Sequence, residues 1–290
     1  MPNLSTIPPV PAGSNKANGV ALLPVQKITN GAAPVQIADA VAVEEPLEIS
    51  LEYGPAAARR QQSISITMRT PGQDTDLAIG FLFTEGILPD ALSIASVTTG
   101  DNTIKISLRE TINPDINRLQ RHFYTSSSCG VCGKSSIDAL RSLIAPKPSE
   151  RETQPPVEAH VLQGLPPMLR QEQSIFETTG GLHAAALFNR AGLILSLRED
   201  IGRHNAVDKL IGHALLDNLL PLTNNILLLS GRACFELIQK AAMAGIKIIA
   251  AIGPPSSLAV QMAEESDITL IGFLREQRFN IYSGARRIRI

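Results

Sequence analysis

Residues 226–273, ILLLSGRACFELIQKAAMAGIKIIAAIGPPSSLAVQMAEESDITLIGF, decide the fold of this chain. Three short apolar runs typical of buried strands alternate in this stretch with two segments of helical periodicity. The strand patterns are 226–229, 247–252 and 267–273, and the helix patterns are 235–244 and 257–265. This βαβαβ order predicts parallel strands with right-handed crossovers and with helices that cover the sheet.

The chain before this unit adds further strands and a smaller lobe. Apolar strand patterns at 184–188 and 193–197 are joined by a hairpin-like turn, and a helix pattern begins at Asn205. Nearer the N-terminus, period-2 strand patterns surround a helix pattern in the order β-β-α-β. These patterns are 47–53, 64–68, 76–85 for the helix, and 104–108. We therefore expect an α/β fold with a mixed main sheet and a smaller N-terminal α+β lobe.

Three parts are predicted along the chain. Residues 1–38 are rich in Pro and Ala without sustained periodicity, which is typical of a disordered tail. Residues 39–122 form the N-terminal lobe, and residues 123–290 form the main α/β domain. The polar, Pro-rich stretch 146–167 is expected to be a connection on the surface of that domain.

The composition excludes several classes of function. A net charge of −1 and an aromatic content of 4 % without Trp predict no nucleic-acid partner. No apolar run approaches the roughly 20 residues that span a bilayer, so no membrane partner is expected. The first residues lack the pattern of a secretory signal, and three cysteines form no disulfide framework. These observations predict a cytoplasmic protein.

Two of the three cysteines form the motif Cys129-Gly-Val-Cys132, which Gly133 and Lys134 follow. A helix pattern begins near Ile137, so the motif lies at or just before a helix N-terminus. There the exposed backbone amides, the helix dipole and the Lys134 charge favour the thiolate, which is the nucleophilic form. We expect a reactive thiol at this motif.

Three chemistries could use this motif. A zinc site needs three or four ligands, and only His183 and Cys234 stand out as additions to the pair. A dithiol oxidoreductase would cycle both cysteines but leaves the later βαβαβ region without a role. A sulfur carrier needs one activated thiolate to hold a persulfide, and a pocket beside it for the sulfur acceptor. Cys234 itself lies early in an apolar helix pattern and is assigned to packing.

A dense set of charged residues follows the strand pattern that ends at Leu197. Residues 198–209 read REDIGRHNAVDK, and ligands of open α/β sheets bind beyond such strand ends. Asn205 and Asp208 are expected to cap the following helix. Arg203 and His204 have no such structural role, although a solvated loop of mutually paired charges is the alternative interpretation.

Two later loops also follow a strand end, and one earlier loop opens a strand. Ser230-Gly231-Arg232 and residues 253–257 each lie between a strand and a helix, where backbone amides can cradle a phosphate and Arg232 can clamp it. Plain helix caps are the alternative for both loops. Two glycines precede His183, which favours a close approach of the backbone to a ligand, with a core histidine as the alternative.

Several motifs in one order resemble the formate dehydrogenase accessory sulfurtransferase family, often called FdhD. The resemblance covers the chain from about Val43 to the C-terminus. The motifs are Glu45-Pro-Leu, Thr70-Pro-Gly, Cys129-Gly-Val-Cys-Gly, Gly181-Leu-His-Ala-Ala, Asp200-Ile-Gly-Arg-His-Asn-Ala-Val-Asp-Lys, Ser230-Gly-Arg, and Leu270-Ile-Gly-Phe-Leu-Arg through Tyr282.

This resemblance implies a sulfurtransferase of the carrier type. Such a protein accepts persulfide sulfur from a cysteine desulfurase and passes it to the bis-guanine-dinucleotide molybdenum cofactor before that cofactor enters formate dehydrogenase. The family's core resembles cytidine deaminases and is usually a homodimer. This chain lacks the His-x-Glu and Pro-Cys-x-x-Cys motifs of the deaminases, so the resemblance carries over the architecture without their zinc chemistry.

The resemblance also implies site residues. Cys129 matches the persulfide cysteine and Cys132 its companion thiol, and the molybdenum cofactor is a bound substrate rather than a permanent prosthetic group. The cofactor-binding stretch corresponds to Phe273, Leu274, Arg275, Glu276, Gln277 and Arg278. Without the family, this stretch is a strand end and turn with solvated charges. The alternative function is a zinc-stabilised chaperone of the cofactor or the enzyme that transfers no sulfur.

Overall fold

The computed structural model describes residues 19–115 and 155–290. These two ranges contain six α-helices and fourteen β-strands. The helices are α1 (Asp74–Thr84), α2 (Ala159–Glu172), α3 (Ser174–Thr179), α4 (Arg203–Leu216), α5 (Phe235–Met243) and α6 (Ser257–Glu265). The strands are β1 (Val20–Lys27), β2 (Val35–Ala42), β3 (Glu45–Tyr53), β4 (Arg60–Arg69), β5 (Ile94–Gly100), β6 (Thr103–Leu108), β7 (Val157–Glu158), β8 (His183–Asn189), β9 (Ile194–Asp200), β10 (Asn225–Leu229), β11 (Ile248–Ala251), β12 (Thr269–Arg275), β13 (Arg278–Ser283) and β14 (Ile288–Arg289).

The main sheet has six strands in the order β13-β12-β11-β10-β8-β9. Strands β10, β11 and β12 are parallel neighbours whose connections contain α5 and α6, which confirms the predicted βαβαβ unit. Strands β8, β9 and β13 pair antiparallel to their neighbours, so the sheet is mixed as expected. The likeness of this core to cytidine deaminases stays a prediction.

Alternate residues of the central strands enter two different cores. Leu227 and Leu229 of β10 pack on one face with residues of α4, α5 and α6. Ile226 and Leu228 pack on the other face with residues of α2. Successive side chains of a strand point to opposite faces, so a strand covered on both sides is apolar throughout. This double burial explains the uninterrupted run of four aliphatic residues with which the decisive stretch begins.

The N-terminal lobe consists of a four-stranded sheet, β4-β3-β6-β5, and helix α1. Leu47, Ile49 and Leu51 alternate along β3 and pack with the buried residues of α1 in one core. The order of elements is the predicted β-β-α-β with one addition. Strand β5 was not predicted, because none of its seven residues is fully buried and its apolar pattern is weak.

Two glycines allow the lobe to dock on the main domain. Helix α1 crosses α4 so closely that a Cβ at Gly80 would lie 1.9 Å from the carbonyl oxygen of Asp208. A Cβ at Gly212 would lie 1.9 Å from the carbonyl oxygen of Asp76. The two helix backbones are therefore in direct contact, and only glycine fits at the crossing. This contact fixes the position of α4 against the N-terminal lobe.

The predicted disordered tail is wrong over the part that the structure describes. Residues 20–42 form an antiparallel hairpin of β1 and β2, with a register from Val20 opposite Ala42 to Lys27 opposite Val35. The hairpin also contacts α3. Most of its side chains remain exposed, so its composition resembles that of a tail although its backbone is paired. Residues 1–18 lie outside the described ranges.

The prediction of a surface connection over residues 146–167 is wrong for the part that forms a helix, and residues 146–154 lie outside the described ranges. Residues 159–172 form helix α2 although it contains Pro166 and Pro167. Leu162, Leu165 and Leu169 are fully buried on one side of this helix against the main sheet. This burial offsets the hydrogen bonds that the two prolines remove, because each buried leucine contributes about 1.5–3 kcal/mol. The predicted boundary at residues 122 and 123 lies outside the described residues.

Within the described ranges, the protein contains no helix with the length and apolar character needed to cross a membrane.

Candidate functional site

One edge of the main sheet collects the polar loops that the sequence singled out. Strands β10, β11 and β12 end at this edge, and because β8 is antiparallel to β10, β8 begins there and β9 ends there. Helices α4, α5 and α6 begin just after β9, β10 and β11. We call this region the polar edge; it comprises His183 and residues 200–205, 230–236, 253–257 and 273–278. Three helix N-termini at one edge favour a bound anion.

A buried ion pair holds the loop between β9 and α4. Asp200 and Lys209 are 0 % and 1 % exposed, and their charged atoms lie 2.7 Å apart. Lys209 Nζ also donates to the carbonyl of Thr70 at 2.9 Å, and the Thr70 amide donates to Asp200 at 3.2 Å. These bonds connect the loop to the end of β4. The loop is therefore a rigid support for Arg203 and His204, not a solvated chain of charges.

The predicted helix cap by Asn205 and Asp208 is wrong. Helix α4 begins at Arg203 with Gly202 at its N-cap, so both residues lie inside the helix. Asn205 Nδ2 donates to the carbonyl of Met68 at 2.8 Å and to Asp200 at 3.0 Å. The side chain therefore ties the loop to the N-terminal lobe.

Asp208 belongs to a second buried cluster. Lys240 Nζ lies 3.0 Å from Asp208 and 3.2 Å from Glu85, and it donates to Thr84 Oγ1 at 2.9 Å. Burial by itself lowers the pKa of Lys240, but the two carboxylates outweigh this effect and hold the pKa above its ordinary value. This ammonium group therefore remains charged and joins α5 to α1 and α4. Its role is structural, since it neutralises carboxylates that would otherwise be buried without a counter-ion.

The two loops that were predicted to cradle a phosphate, residues 230–232 and 253–257, pack against each other at the polar edge. The Gly253 amide donates to the Gly231 carbonyl at 2.9 Å, and Ala233 pairs with Pro255 in a short parallel bridge. A Cβ at Gly253 would lie 2.9 Å from the backbone nitrogen of Arg232, so a larger residue would separate the loops. Ser230 Oγ accepts from the Ala184 amide at 2.8 Å and thereby ties the first loop to β8.

The pKa of His183 is lowered by burial and by positive charges at this edge. A Cβ at Gly231 would lie 3.2 Å from His183 Nδ1, so the ring lies directly against the first loop. Burial lowers the pKa of His183, and the positive charges of Arg203, His204 and Arg232 lower it further. Burial and these cations together outweigh the opposing charge of Asp200, so the imidazole is neutral at pH 7 with several cations near it.

Cys234 packs against the main core, as the assignment to packing predicted, but its sulfur also contacts polar side chains that the apolar helix pattern did not reveal. It is the N-cap residue of α5 and is only partly buried. His204 Nε2 lies 3.2 Å from its sulfur and 2.9 Å from Glu236 Oε2. The sequence signal that could have found this group is the adjacent pair Arg203-His204 at one helix start and a cysteine at the next.

The ionisation of this group follows from its contacts. Burial alone lowers the pKa of His204, but hydrogen bonds to Cys234 and Glu236 outweigh it and raise the pKa to about 9. Burial alone raises the pKa of Cys234, but the hydrogen bond and charge of His204, with a further contribution from Arg203, lower it to about 7. A substantial fraction of Cys234 is therefore thiolate at neutral pH.

The stretch that the resemblance assigned to the cofactor lies at the end of β12 and the turn into β13. Phe273 is 41 % exposed and has a φ of 53°, while its amide donates to the Gly253 carbonyl. Leu274 is 0 % exposed and packs in the core behind the sheet, so its side chain is not available to a ligand. Arg275 Nη1 donates to the carbonyls of Ile252 and Leu274, both at 2.7 Å. Exposed side chains complete the turn, namely Glu276, Gln277 and Arg278.

The cysteine motif of Cys129 and Cys132 lies outside the described residues. The approach of these thiols to the polar edge therefore stays a prediction. Among the described residues, one group brings three possible metal-binding side chains together, namely His204, Cys234 and Glu236. The zinc alternative had instead paired Cys234 with His183, which does not belong to this group.

Known proteins resemble this chain over nearly its whole length. The sulfur carrier protein FdhD of Streptomyces avermitilis is 47 % identical over 277 residues, which cover 91 % of this chain and 94 % of that protein. The protein of the same name from Mycolicibacterium paratuberculosis is 48 % identical over 260 residues, covering 86 % and 92 %. That from Picrophilus torridus is 44 % identical over 252 residues, covering 87 % and 93 %.

A solved structure has the same fold. It is the crystal structure of a protein described as a formate dehydrogenase accessory protein from Desulfotalea psychrophila, with a TM-score of 0.72 and 23 % identity. The match covers 93 % of this chain and all of that chain. The model of the FdhD/NarQ family matches residues 42–289. The chain belongs to the FdhD/NarQ family.

Proposed function

We propose that this protein is a sulfur carrier for formate dehydrogenase. It accepts persulfide sulfur from a cysteine desulfurase on Cys129 and transfers it to the bis-guanine-dinucleotide molybdenum cofactor, its bound substrate. The names of its relatives support the sulfur-carrying role. The motif resemblance supports the remaining parts of the proposal. These are formate dehydrogenase and a cysteine desulfurase as partners, a cytoplasmic location and a homodimer.

The observation that carries the proposal is the construction of the polar edge. Helices α4, α5 and α6 direct their N-termini toward it, and Arg203, His204 and Arg232 add positive charge beside His183. A pyrophosphate group matches these features, because helix N-termini supply amide donors and arginine binds phosphate oxygens with two parallel bonds. A dinucleotide is therefore a suitable ligand for the edge.

The exposed ring of Phe273 supplies the surface for a planar base. Its left-handed backbone conformation is uncommon for a bulky residue, and its side chain is 41 % exposed. Its amide donates to the Gly253 carbonyl, which holds the backbone from which the ring extends, and an exposed aromatic ring is a surface on which a guanine stacks. Arg278, on the adjoining strand, is exposed and able to reach an anion, whereas Arg275 is held by two backbone carbonyls.

The chemistry assigns different roles to the two cysteines of the motif. Cys129 carries the terminal sulfur as a persulfide. Attack by the Cys132 thiolate on Cys129 Sγ would release that sulfur as hydrosulfide and leave a disulfide between the two cysteines. The two thiols would then supply the two electrons that reduce the sulfane sulfur to hydrosulfide. The polar edge would hold the molybdenum cofactor that accepts this sulfur.

Peptide mass spectrometry tests the carrier role. After incubation with a cysteine desulfurase and cysteine, the peptide that contains Cys129 should gain about 32 Da, the mass of one sulfur atom. The gain should be absent from the corresponding peptide of Cys129→Ser and present in Cys132→Ser. An unmodified Cys129 peptide in the wild-type protein, under conditions in which the desulfurase releases alanine, would refute the assignment.

Nucleotide binding tests the polar edge separately. Guanosine diphosphate at about 100 times its dissociation constant should stabilise the protein by about 2.7 kcal/mol, visible as a higher melting temperature. Phe273→Ala should weaken this binding, whereas Leu193→Ala, an exposed apolar residue at the opposite end of the sheet, should not. Equal binding by the two variants would place the nucleotide elsewhere.

The zinc-stabilised chaperone is the second candidate because His204, Cys234 and Glu236 converge. The charge of Arg203, which acts on both Cys234 and Glu236, opposes a bound cation at this group. Metal analysis of the purified protein distinguishes the two functions. One zinc per chain that survives dialysis against a chelator would favour the chaperone.

A further inference from the structure

Cys234 has surroundings that the proposed function does not use. It lies at the N-terminus of α5, a helix of nine residues, and beside the loop of residues 253–257 through the bridge from Ala233 to Pro255. Its sulfur is therefore part of the polar edge, where the acceptor of the sulfur is expected to bind. The thiol is partly exposed, so small reagents and ligands can reach it.

The geometry around His204 shows which atom carries the proton. One nitrogen, Nε2, faces both the Cys234 sulfur at 3.2 Å and the Glu236 carboxylate at 2.9 Å. An unprotonated Nε2 would direct its lone pair at the carboxylate, which is repulsive, so we assign a proton to this nitrogen. The sulfur then accepts the shared N–H, and this contact favours the thiolate because a thiolate is a stronger acceptor than a thiol.

Further contacts favour the same ionic state. Arg203 lies close enough to lower the pKa of the thiol, and its own Nε is buried without a hydrogen-bond partner among the described residues. The start of α5 adds the positive end of a helix dipole. A thiol whose only role is packing would have no charged neighbour, and burial would raise its pKa. Cys234 packs against the main core, but its sulfur also contacts His204, which is the environment of a nucleophile.

We propose that Cys234 is a second sulfur-accepting thiol, which holds a sulfane sulfur at the polar edge. Its thiolate attacks the terminal sulfur of a donor persulfide. The S–S bond of the donor breaks, a new S–S bond forms on Cys234, and the donor leaves as a thiolate that takes a proton from water. The exchange involves no net oxidation or reduction. For its donor the proposal rests on the proposed function, which places a persulfide on Cys129.

Protonated His204 then has a defined part as a positioning residue. It pairs with the thiolate before the exchange and with the anionic terminal sulfur of the persulfide afterwards. Glu236 holds the imidazole through the same Nε2–H, so that the ring stays beside the sulfur. The sulfur thus rests between a cation and the helix N-terminus, close to the loops assigned to the dinucleotide.

Low-molecular-weight persulfide tests this proposal without the desulfurase. The double variant Cys129→Ser/Cys132→Ser is incubated with glutathione persulfide, and the peptide that contains Cys234 is analysed by mass spectrometry. We expect a gain of about 32 Da on this peptide and none in a variant that also carries Cys234→Ser. A Cys234 peptide that stays unmodified, while Cys129 of the wild-type protein is loaded, would refute this proposal and leave the proposed function intact. Loading of Cys234 without any loading of Cys129 would refute the proposed function instead.

A pH profile separates a thiolate from a merely reactive surface thiol. Alkylation of Cys234 by iodoacetamide should have its midpoint near pH 7, because its folded pKa is lowered to about 7, and should slow as the pH falls below this value. The charged groups facing the sulfur are His204, Glu236 and Arg203. His204→Gln should move the midpoint toward pH 9 and slow alkylation at pH 7 roughly five- to tenfold, since the gain in nucleophilicity only partly offsets the lost thiolate.

One control variant and two outcomes that would contradict the proposal complete this measurement. His213→Gln changes a histidine in the last turn of the same helix, away from the thiol, and should leave the midpoint near pH 7. A midpoint above pH 8.5 in the wild-type protein would overturn the proposal. Zinc that protects Cys234 from alkylation until a chelator removes it would also overturn it, in favour of a metal site.

Discussion

Replacement of Gly80 by alanine is the sharpest test of how the two lobes are joined. The new Cβ would lie 1.9 Å from the carbonyl oxygen of Asp208, whereas ordinary contact begins at 3.4 Å. The colliding atom is backbone, so no side-chain rotation relieves the clash. Helices α1 and α4 must therefore separate by about 1.5 Å along a crossing that also includes Gly212.

The cost can be worked out from this separation. Overpacking of a core costs about 1–3 kcal/mol, and the upper end applies here because both colliding surfaces are backbone. Alanine recovers about 0.5–1 kcal/mol of helix propensity relative to glycine. The expected net loss in the free energy of unfolding is therefore about 2 kcal/mol, together with a displacement of the start of α4, where Arg203 and His204 lie.

Urea unfolding followed by circular dichroism measures this loss. Gly164→Ala is the matched control, because Gly164 also lies inside a helix, α2, but its Cβ would meet nothing within 4 Å. That variant should gain about 0.5–1 kcal/mol. If Gly80→Ala were as stable as the wild-type protein, or if both variants lost the same amount, the close helix crossing would be refuted.

The two buried ion clusters yield the remaining predictions. Asp200→Asn leaves Lys209 charged and buried, so the free energy of unfolding should fall by about 3–5 kcal/mol, and adding Lys209→Met should restore part of it. Urea unfolding of the single and double variants checks this, and simple addition of the two losses would contradict the pairing. Lys240→Met should cost a similar amount because it leaves Asp208 buried without its cation. Burial already raises the pKa of Asp208, and the loss of Lys240 raises it further, so this variant should regain stability as the pH falls and the carboxyl group is protonated. A stability that does not change with pH in this variant would contradict that reasoning.

Hydrophobic periodicity predicted most of the main domain. The strands and helices of residues 226–273 appear in the expected order, and the parallel pairing of β10, β11 and β12 follows from the lengths of their connections. This success has a simple cause, since strands buried on both faces have an uninterrupted apolar pattern. The composition of a segment predicted its secondary structure less well where few of its side chains are buried.

Two elements illustrate that weakness. The hairpin of β1 and β2 is held mainly by backbone pairing and leaves most side chains exposed, so its sequence carries little periodicity. Helix α2 was missed for the opposite reason, because Pro166 and Pro167 outweighed three buried leucines in the local pattern. Tertiary burial overrode the local propensity of α2, whereas backbone pairing formed the hairpin without a buried apolar pattern.

The candidate site also has one part that the sequence predicted and another that it did not. The sequence by itself determined which strand ends carry glycine, serine and arginine, and therefore where an anion is expected. Only the tertiary structure decided which of these groups meet. Cys234 and His204 are 30 positions apart and lie in different βα units, yet their atoms are 3.2 Å apart because the starts of α4 and α5 share one edge of the sheet. The pKa of a thiol depends on charges within a few ångströms, so the apolar helix around Cys234 could not reveal its ionisation, and the packing of two helix N-termini did.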